Sequence, residues 1–312
     1  MSDAKIIVHG GAGTIRPRLW AAYRDGAHVA ACIGQQVLNR GGSALEAVIE
    51  AVVNMEDNPV FNCGTGSCLT LDGRVECDAF VMTNDMRIGA VSIVTNVKNP
   101  VRLARIVMDH TVHHVIAGDS TNRLADAHGI EKIDPHALIV DRRRRRWQEM
   151  MDRGLEFMVD PELEASDDPA DLTDEDAMDT VGACAVDKEG NVAVAGSTGG
   201  IMLKYPGRIG DTPMPGAGNY AGPAGAVACT GHGEAIMRVC LAKYCYDLLE
   251  QGVPVAEAAS RSIAHLTDKV NGFAGLIAID SAGNRAWATS TPNIPVGVAE
   301  GAVDISNGQQ PA

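Results

Sequence analysis

The chain has 312 residues, 46% hydrophobic and 21% charged, the balance of a globular protein long enough to bury a core without staples. Asp and Glu number 40 against 26 Lys and Arg, giving a formal net charge of -14. That field repels nucleic acid and anionic lipid, so neither is an expected partner. No run approaches the ~18 apolar residues of a membrane span. Ile6, Ile7 and Val8 are too few for a secretory signal core, so the expected location is the cytoplasm.

In chain order, residues 5–9 read as a short buried strand running into Gly10-Gly11-Ala12-Gly13. Residues 18–39 are helical in composition and stop at Gly41-Gly42. Ser43 and Glu46 form a capping box for a second helix, whose Leu45, Val48, Ile49, Val52 and Val53 recur at helical spacing. A glycine-punctuated loop follows over 61–66. Asp72-Gly73 predicts a hairpin joining 67–71 to 74–82, and 89–95 reads as a further strand. Asn99 and Pro100 suit the N-cap and first turn of a helix reaching residue 110.

The composition changes near Asp134. Residues 142–146 are five consecutive arginines, expected as a solvated patch facing an acidic segment over 160–176. That segment has few large apolar residues and is expected as a linker or loop. Strand patterns return at Thr180, with hairpins over 180–196 and 274–289, a strand over 227–230, and helices over 233–250 and 254–268. Strands grouped in hairpins, with helices between the groups, predict an α+β fold with largely antiparallel sheets.

Several familiar chemistries are absent. No phosphate-binding G-x-x-x-x-G-K-[ST] loop or G-x-S-x-G elbow occurs. The G-x-G-x-x-A run at Gly216 follows a proline-rich loop rather than a strand. The eight cysteines form no C-x-x-C pair and there is no H-E-x-x-H, so most cysteines are expected as small core residues. Thr180 stands where the acidic segment meets a hydrophobic strand. It reads either as an ordinary β-branched strand residue or as a latent nucleophile. Cleavage before it would leave an α-amine beside its hydroxyl, with a pKa of about 7.7–8, suited to a base near neutrality.

Six blocks in order decide how this pattern is read. They are His9-Gly10-Gly11-Ala12-Gly13, the Glu56–Gly64 stretch EDNPVFNCG, Asp179-Thr180-Val181-Gly182, Gly196-Ser197-Thr198-Gly199-Gly200, Pro206-Gly207-Arg208-Ile209-Gly210-Asp211, and Thr230-Gly231-His232-Gly233-Glu234. Together they resemble the plant-type L-asparaginase and isoaspartyl peptidase family of N-terminal nucleophile hydrolases. The resemblance implies a four-layer αββα sandwich and a single hydrolase domain over 1–312. It also implies self-cleavage between Asp179 and Thr180 into chains 1–179 and 180–312, the first with an acidic tail.

The same resemblance assigns roles. Thr180 would be the nucleophile and its freed amine the base. Thr198 would orient it, Thr230 and Gly231 would form the oxyanion hole, and Asn62 would support the nucleophile. Arg208 would hold the α-carboxylate of a small zwitterionic substrate, Asp211 its α-ammonium, and Gly233 would offer backbone contacts. Substrates would be β-aspartyl peptides and L-asparagine, because an ordinary α-peptide bond consumes the carboxylate that Arg208 reads. No cofactor would serve catalysis. A structural sodium ion would sit on the carbonyls of Met55, Glu56, Asn58, Phe61, Cys63 and Thr65, and the working unit would be a homodimer of αβ units. His9 and His232 are expected to order glycine-rich loops.

The sequence departs from the family pattern at several points. Asp179 stands where glycine is usual, as in glycosylasparaginases and threonine aspartases. Cys63 and Cys68 enter the sodium loop, and residues 82–86 and 289–295 differ from the usual turns. A glycosylasparaginase-like preference for N4-substituted asparagine is therefore an alternative. Another is a non-catalytic ligand-binding relative, which predicts loss of the threonines or of Arg208 and Asp211, all of which are present.

Overall fold

The computed structural model describes residues 4–154 and 180–299 and the backbone of 301–303. Asp179 and the acidic 160–176 segment lie outside these residues, and with them the expectation of a linker.

The elements are β1 (Lys5–His9), α1 (Pro17–Asn39), α2 (Ala44–Asp57), β2 (Cys77–Thr83), β3 (Ile88–Val94), α3 (Pro100–His110), β4 (Val115–Ala117), α4 (Asp119–Ala127) and α5 (Asp141–Asp152). After residue 179 come β5 (Val181–Val186), β6 (Val192–Thr198), β7 (Asn219–Gly222), β8 (Gly225–Gly231), α6 (Gly233–Val239), α7 (Leu241–Glu250), α8 (Val255–Val270), β9 (Ala274–Asp280), β10 (Arg285–Thr289), β11 (Val296–Val298) and β12 (Gly301–Val303). They form an α+β structure with two sheets. One has the order β12-β11-β1-β5-β6-β2-β3-β4, the other β10-β9-β8-β7. Among the described residues, every strand-to-strand pairing is antiparallel except β3 with β4.

Strand alternation sorts the apolar residues into three clusters, because successive side chains point to opposite sheet faces. On the large sheet, Ile6 and Val8, Ala183 and Ala185, and Ala193 and Ala195 join α1 and α2 residues such as Ala30 and Val48. Their neighbours Ile7, Cys184 and Val194 instead meet Ala226, Ala228 and Ile277 of the small sheet. On the far side of the small sheet, Val227, Cys229 and Leu276 pack on α7 and α8 through Leu241, Cys245 and Leu266. Close approach of α1 to its neighbours depends on Gly34, where a Cβ would fall 2.4 Å from Ile6 Cδ1 and 2.9 Å from the Ala47 carbonyl.

The capping box of α2 is present in full, with the Ser43 hydroxyl accepting from the Glu46 N–H and the Glu46 carboxylate accepting from the Ser43 N–H. Other expectations need correction. The hairpin at Asp72-Gly73 shrinks to an isolated bridge between Leu69 and Val75, and β2 pairs with β3 and β6. Asn99 and Pro100 take the N-cap and first-turn positions of α3 as expected, but the Asn99 side chain makes no capping bond; its amide donates to Asp57, while Glu56 on α2 accepts the Val101 N–H at 3.0 Å. The helix expected over 233–250 breaks at Cys240, which adopts a left-handed φ of 48°. The break lets the 216–217 loop cap α7, its carbonyls accepting from the Ala242 and Lys243 N–H groups. The arginine run is the body of α5, and Arg143 within it is fully buried. The expected solvated patch holds for Arg144 and Arg145, which are exposed, and fails for Arg143, whose Nε donates to the Gly66 carbonyl; the acidic segment it was to face lies outside the described residues. Among the described residues, no helix is long and apolar enough to cross a membrane.

Candidate active site

Thr180 immediately precedes β5 and is 7% exposed. By alternation it shares its face with Gly182 and Cys184, so it looks into the layer between the sheets. Thr198 closes β6 and Thr230 lies near the end of β8, each in phase with residues of that same layer. The Thr180 hydroxyl donates to Thr198 Oγ at 3.2 Å, and Thr198 Oγ also accepts the Gly200 N–H at 2.9 Å. Gly231 has a φ of 129°, and a Cβ there would come 2.7 Å from Ala274 Cα, so the chain passes β9 only as glycine.

Asn62 ties the loop after α2 to this end of β6. Its Nδ2 donates to the Gly200 carbonyl at 2.6 Å and its Oδ1 accepts from the Cys68 N–H at 2.7 Å. Its own carbonyl receives the Gly199 N–H at 2.8 Å. Gly199 must lack a side chain, since a Cβ would lie 2.6 Å from Asn62 Oδ1.

Arg208, Asp211 and Gly233 converge. A Cβ on Gly233 would sit 2.8 Å from Asp211 Oδ1 and 2.9 Å from Arg208 Nη2. Burial pushes the Asp211 carboxyl up to about 7, with the Arg208 charge opposing the shift. Asp211 Oδ2 has no hydrogen-bond partner among the described residues. The loop is anchored on two sides. The Asp211 carbonyl accepts from Gly218 N–H, whose own carbonyl accepts from Cys229 N–H beside Thr230. On the other side, Asp78 Oδ2 accepts weakly from the Gly210 N–H at 3.5 Å, and Asp78 is the ladder partner of Thr198.

Three groups here were missed in the sequence. Glu234 forms a two-pronged pair with Arg208, at 2.9 Å to Nε and 2.8 Å to Nη2. It lies inside the Thr230–Glu234 block, so a signal existed. Asp78, a charge in an otherwise apolar strand, is wholly buried; burial raises its pKa and nearby Lys204 opposes the rise. Lys204 is itself buried and donates to the Glu76 carbonyl at 2.6 Å. Nothing in its local sequence marked it.

His9 faces the same layer. A Cβ on Gly182 would lie 2.4 Å from its Nε2. Burial drives its pKa down to about 3, a contact with the Thr180 backbone opposing that shift, so the ring is neutral throughout the physiological range. His232 occupies the N-cap position of α6 without a side-chain capping bond, and its ring stacks on Phe273 at 5.5 Å.

The asparaginase family profile matches residues 2–306. The chain belongs to the asparaginase family. It is 42% identical over 288 residues to the isoaspartyl peptidase/L-asparaginase of Xenopus laevis, covering 92% of this chain and 89% of that one. Identity to the human isoaspartyl peptidase/L-asparaginase is 39% over 294 residues, with 93% and 91% covered. Identity to the plant-type L-asparaginase of Pyrococcus abyssi is 40% over 298 residues, with 93% and 94% covered.

For a family member, the loop from Met55 to Thr65 raises the question of a cation. Among the described residues, no group of three or more His, Cys, Asp or Glu could hold a metal. The carbonyls of Met55, Glu56 and Asn58 already accept N–H groups from Asn58, Thr65 and Phe61. Each retains a second lone pair, so an oxygen-only set suited to a hard, weakly held ion remains.

Proposed function

We propose that the protein is an N-terminal nucleophile hydrolase that cleaves itself before Thr180 and then hydrolyses β-aspartyl peptides and the side-chain amide of L-asparagine. The single observation that carries the reading is the Thr180–Thr198 hydroxyl pair at 3.2 Å, at the head of a strand whose preceding residue is the proposed cleavage point. The names of the relatives support the substrate class. The three apolar clusters support a four-layer αββα sandwich of the N-terminal nucleophile hydrolase type.

In self-cleavage, Thr180 Oγ attacks the Asp179 carbonyl carbon and the peptide nitrogen leaves as an amine, giving an ester. Water then opens the ester, freeing the Asp179 carboxylate and restoring the hydroxyl. In turnover, Oγ attacks the substrate's side-chain carbonyl while the Thr180 amine takes its proton and passes it to the leaving nitrogen. Thr198 orients Oγ. The Thr230 hydroxyl and Gly231 N–H receive the developing oxyanion, a donor of this kind contributing about 3–4 kcal/mol. Water then hydrolyses the aspartyl ester. Arg208, held from one edge by Glu234, reads the α-carboxylate through its remaining donors, and Asp211 reads the α-ammonium.

The loop carbonyls of Met55, Glu56, Asn58, Phe61, Cys63 and Thr65 would hold a structural sodium ion that stiffens the loop. The proposed working unit is a dimer of cleaved αβ pairs.

The test is intact mass spectrometry of aged protein together with turnover of a β-aspartyl dipeptide. Two masses are expected, dividing the chain at Thr180, with activity rising as they accumulate. Uncut protein with full activity would refute the reading, and Thr180→Ala is expected to be neither cut nor active.

A further inference from the structure

Helix α5 is the last described element before residue 155, and its arginines reach a loop remote from it in sequence. Arg143 is 0% exposed, and its Nε donates to the Gly66 carbonyl at 2.7 Å. Arg142 Nη2 donates to the Val60 carbonyl at 3.1 Å and to that of Pro59 at 3.3 Å. Trp147, one turn on, donates to the Thr70 carbonyl at 2.9 Å. Four donor contacts thus bind one face of α5 to the 59–70 stretch.

A buried guanidinium is costly to desolvate, and it persists only where fixed acceptors receive it. Here the Arg143 Nε is received by the Gly66 carbonyl, in a loop with tight internal geometry. Gly66 has a φ of 102°, and a Cβ there would strike the Pro59 and Phe61 carbonyl oxygens at 2.6 and 2.7 Å. Its N–H is fixed as well, donating to the Leu138 carbonyl at 2.9 Å just ahead of α5. None of the carbonyls met by the arginines belongs to the set assigned above to sodium, so the two cations would address different carbonyls of the loop.

The loop's cargo is Asn62. From Arg143 the contacts run through the Gly66 carbonyl and the 59–66 loop to Asn62. From there they run through Gly199 and Gly200 to Thr198 Oγ, and so to Thr180 Oγ. Every link after the loop is a hydrogen bond of 3.2 Å or less.

We propose that Arg143 is a positioning residue for hydrolysis: its buried guanidinium fixes the 59–66 loop so that Asn62 holds Thr198 against Thr180. The proposal rests on the functional reading above. The contacts traced from Arg143 lead to the Thr198–Thr180 hydroxyl pair, so its effect is expected on kcat rather than on KM.

Arg143→Ala and Arg143→Lys are compared with wild type for self-cleavage by mass and for kcat and KM on a β-aspartyl dipeptide, with thermal melting of each. In Arg143→Ala, kcat is expected to fall about tenfold or more, because small displacements of a reacting group are costly, while KM stays within about twofold. Millimolar guanidinium chloride should restore part of that loss by refilling the vacated position, with no such gain in wild type. Arg143→Lys keeps the charge but lacks the planar donor aimed at Gly66, so its kcat should be intermediate.

Wild-type kcat in either variant overturns the proposal, including where the alanine variant fails to fold. A kcat loss that neither guanidinium nor lysine relieves also overturns it, since that marks general destabilisation. An inactive, uncut wild-type protein instead defeats the functional reading, and this inference with it.

Discussion

Asp211 shows how burial shifts the charge of a single side chain. Its carboxyl titrates near 7, so it is largely neutral in mildly acidic solution and ionised above neutrality. An α-ammonium is attracted only by the ionised form. KM for a zwitterionic substrate is therefore expected to fall as pH rises from about 6 to about 8. An α-amine freed at Thr180 by the proposed cut would have to lose its proton to act as base; since α-amines ordinarily titrate at about 7.7–8, this would add a rise in kcat over a similar window. Asp211→Asn separates the two effects. Its KM should be raised and flat with pH, while the kcat limb survives. Steady-state kinetics across that window decide the matter, and an unchanged KM slope in the variant would remove Asp211 from ammonium recognition.

At the scale of elements, the site depends on helices and loops capping one another. Glu56 is the clearest case. It belongs to α2, is wholly buried, and serves the first turn of α3 by accepting the Val101 N–H. Burial pushes its carboxyl up to about 8, so at neutral pH it carries a proton and acts as an uncharged hydrogen-bonding group. Glutamine keeps the carbonyl oxygen and the volume; alanine removes both. Glu56→Ala is expected to cost about 2–3 kcal/mol, the sum of an unsatisfied N–H and a small cavity. Glu56→Gln should melt close to wild type, and calorimetry of both variants checks the claim. Equal melting of Glu56→Ala and wild type would mean that α3 finds its cap elsewhere. The 211–218 loop works similarly, capping α7 through its 216–217 carbonyls while carrying Asp211.

For the whole molecule, the sheet order bears on what self-cleavage would do. Strand β1, from before the proposed cut, lies between β11 and β5, both from after it. Strand β6 from the later part pairs with β2 from the earlier part. The two products would thus be interleaved within one hydrogen-bonded sheet, and α1 and α2 would pack on strands of both. They should co-elute in size-exclusion chromatography under native conditions and separate only in denaturant. Separation in native buffer would contradict this arrangement.

The α2 capping box, the apolar phase of α2, the last hairpin and the ordered glycine-bearing blocks were legible because each depends on local spacing. Thr180, Thr198, Arg208 and Asp211 could be named from those blocks, although they lie up to 31 positions apart. Only tertiary structure buried Arg143 within the arginine run, brought Glu56 rather than the Asn99 side chain to the first turn of α3, split the 233–250 helix at Cys240 and paired Arg208 with Glu234. The physical reason is common to all four. A polar group's environment is decided by the segment that arrives opposite it, and in this chain those partners are loop carbonyls and carboxylates distant in sequence. Periodicity and local signatures record which residues go inside together; they do not record which donor meets which acceptor.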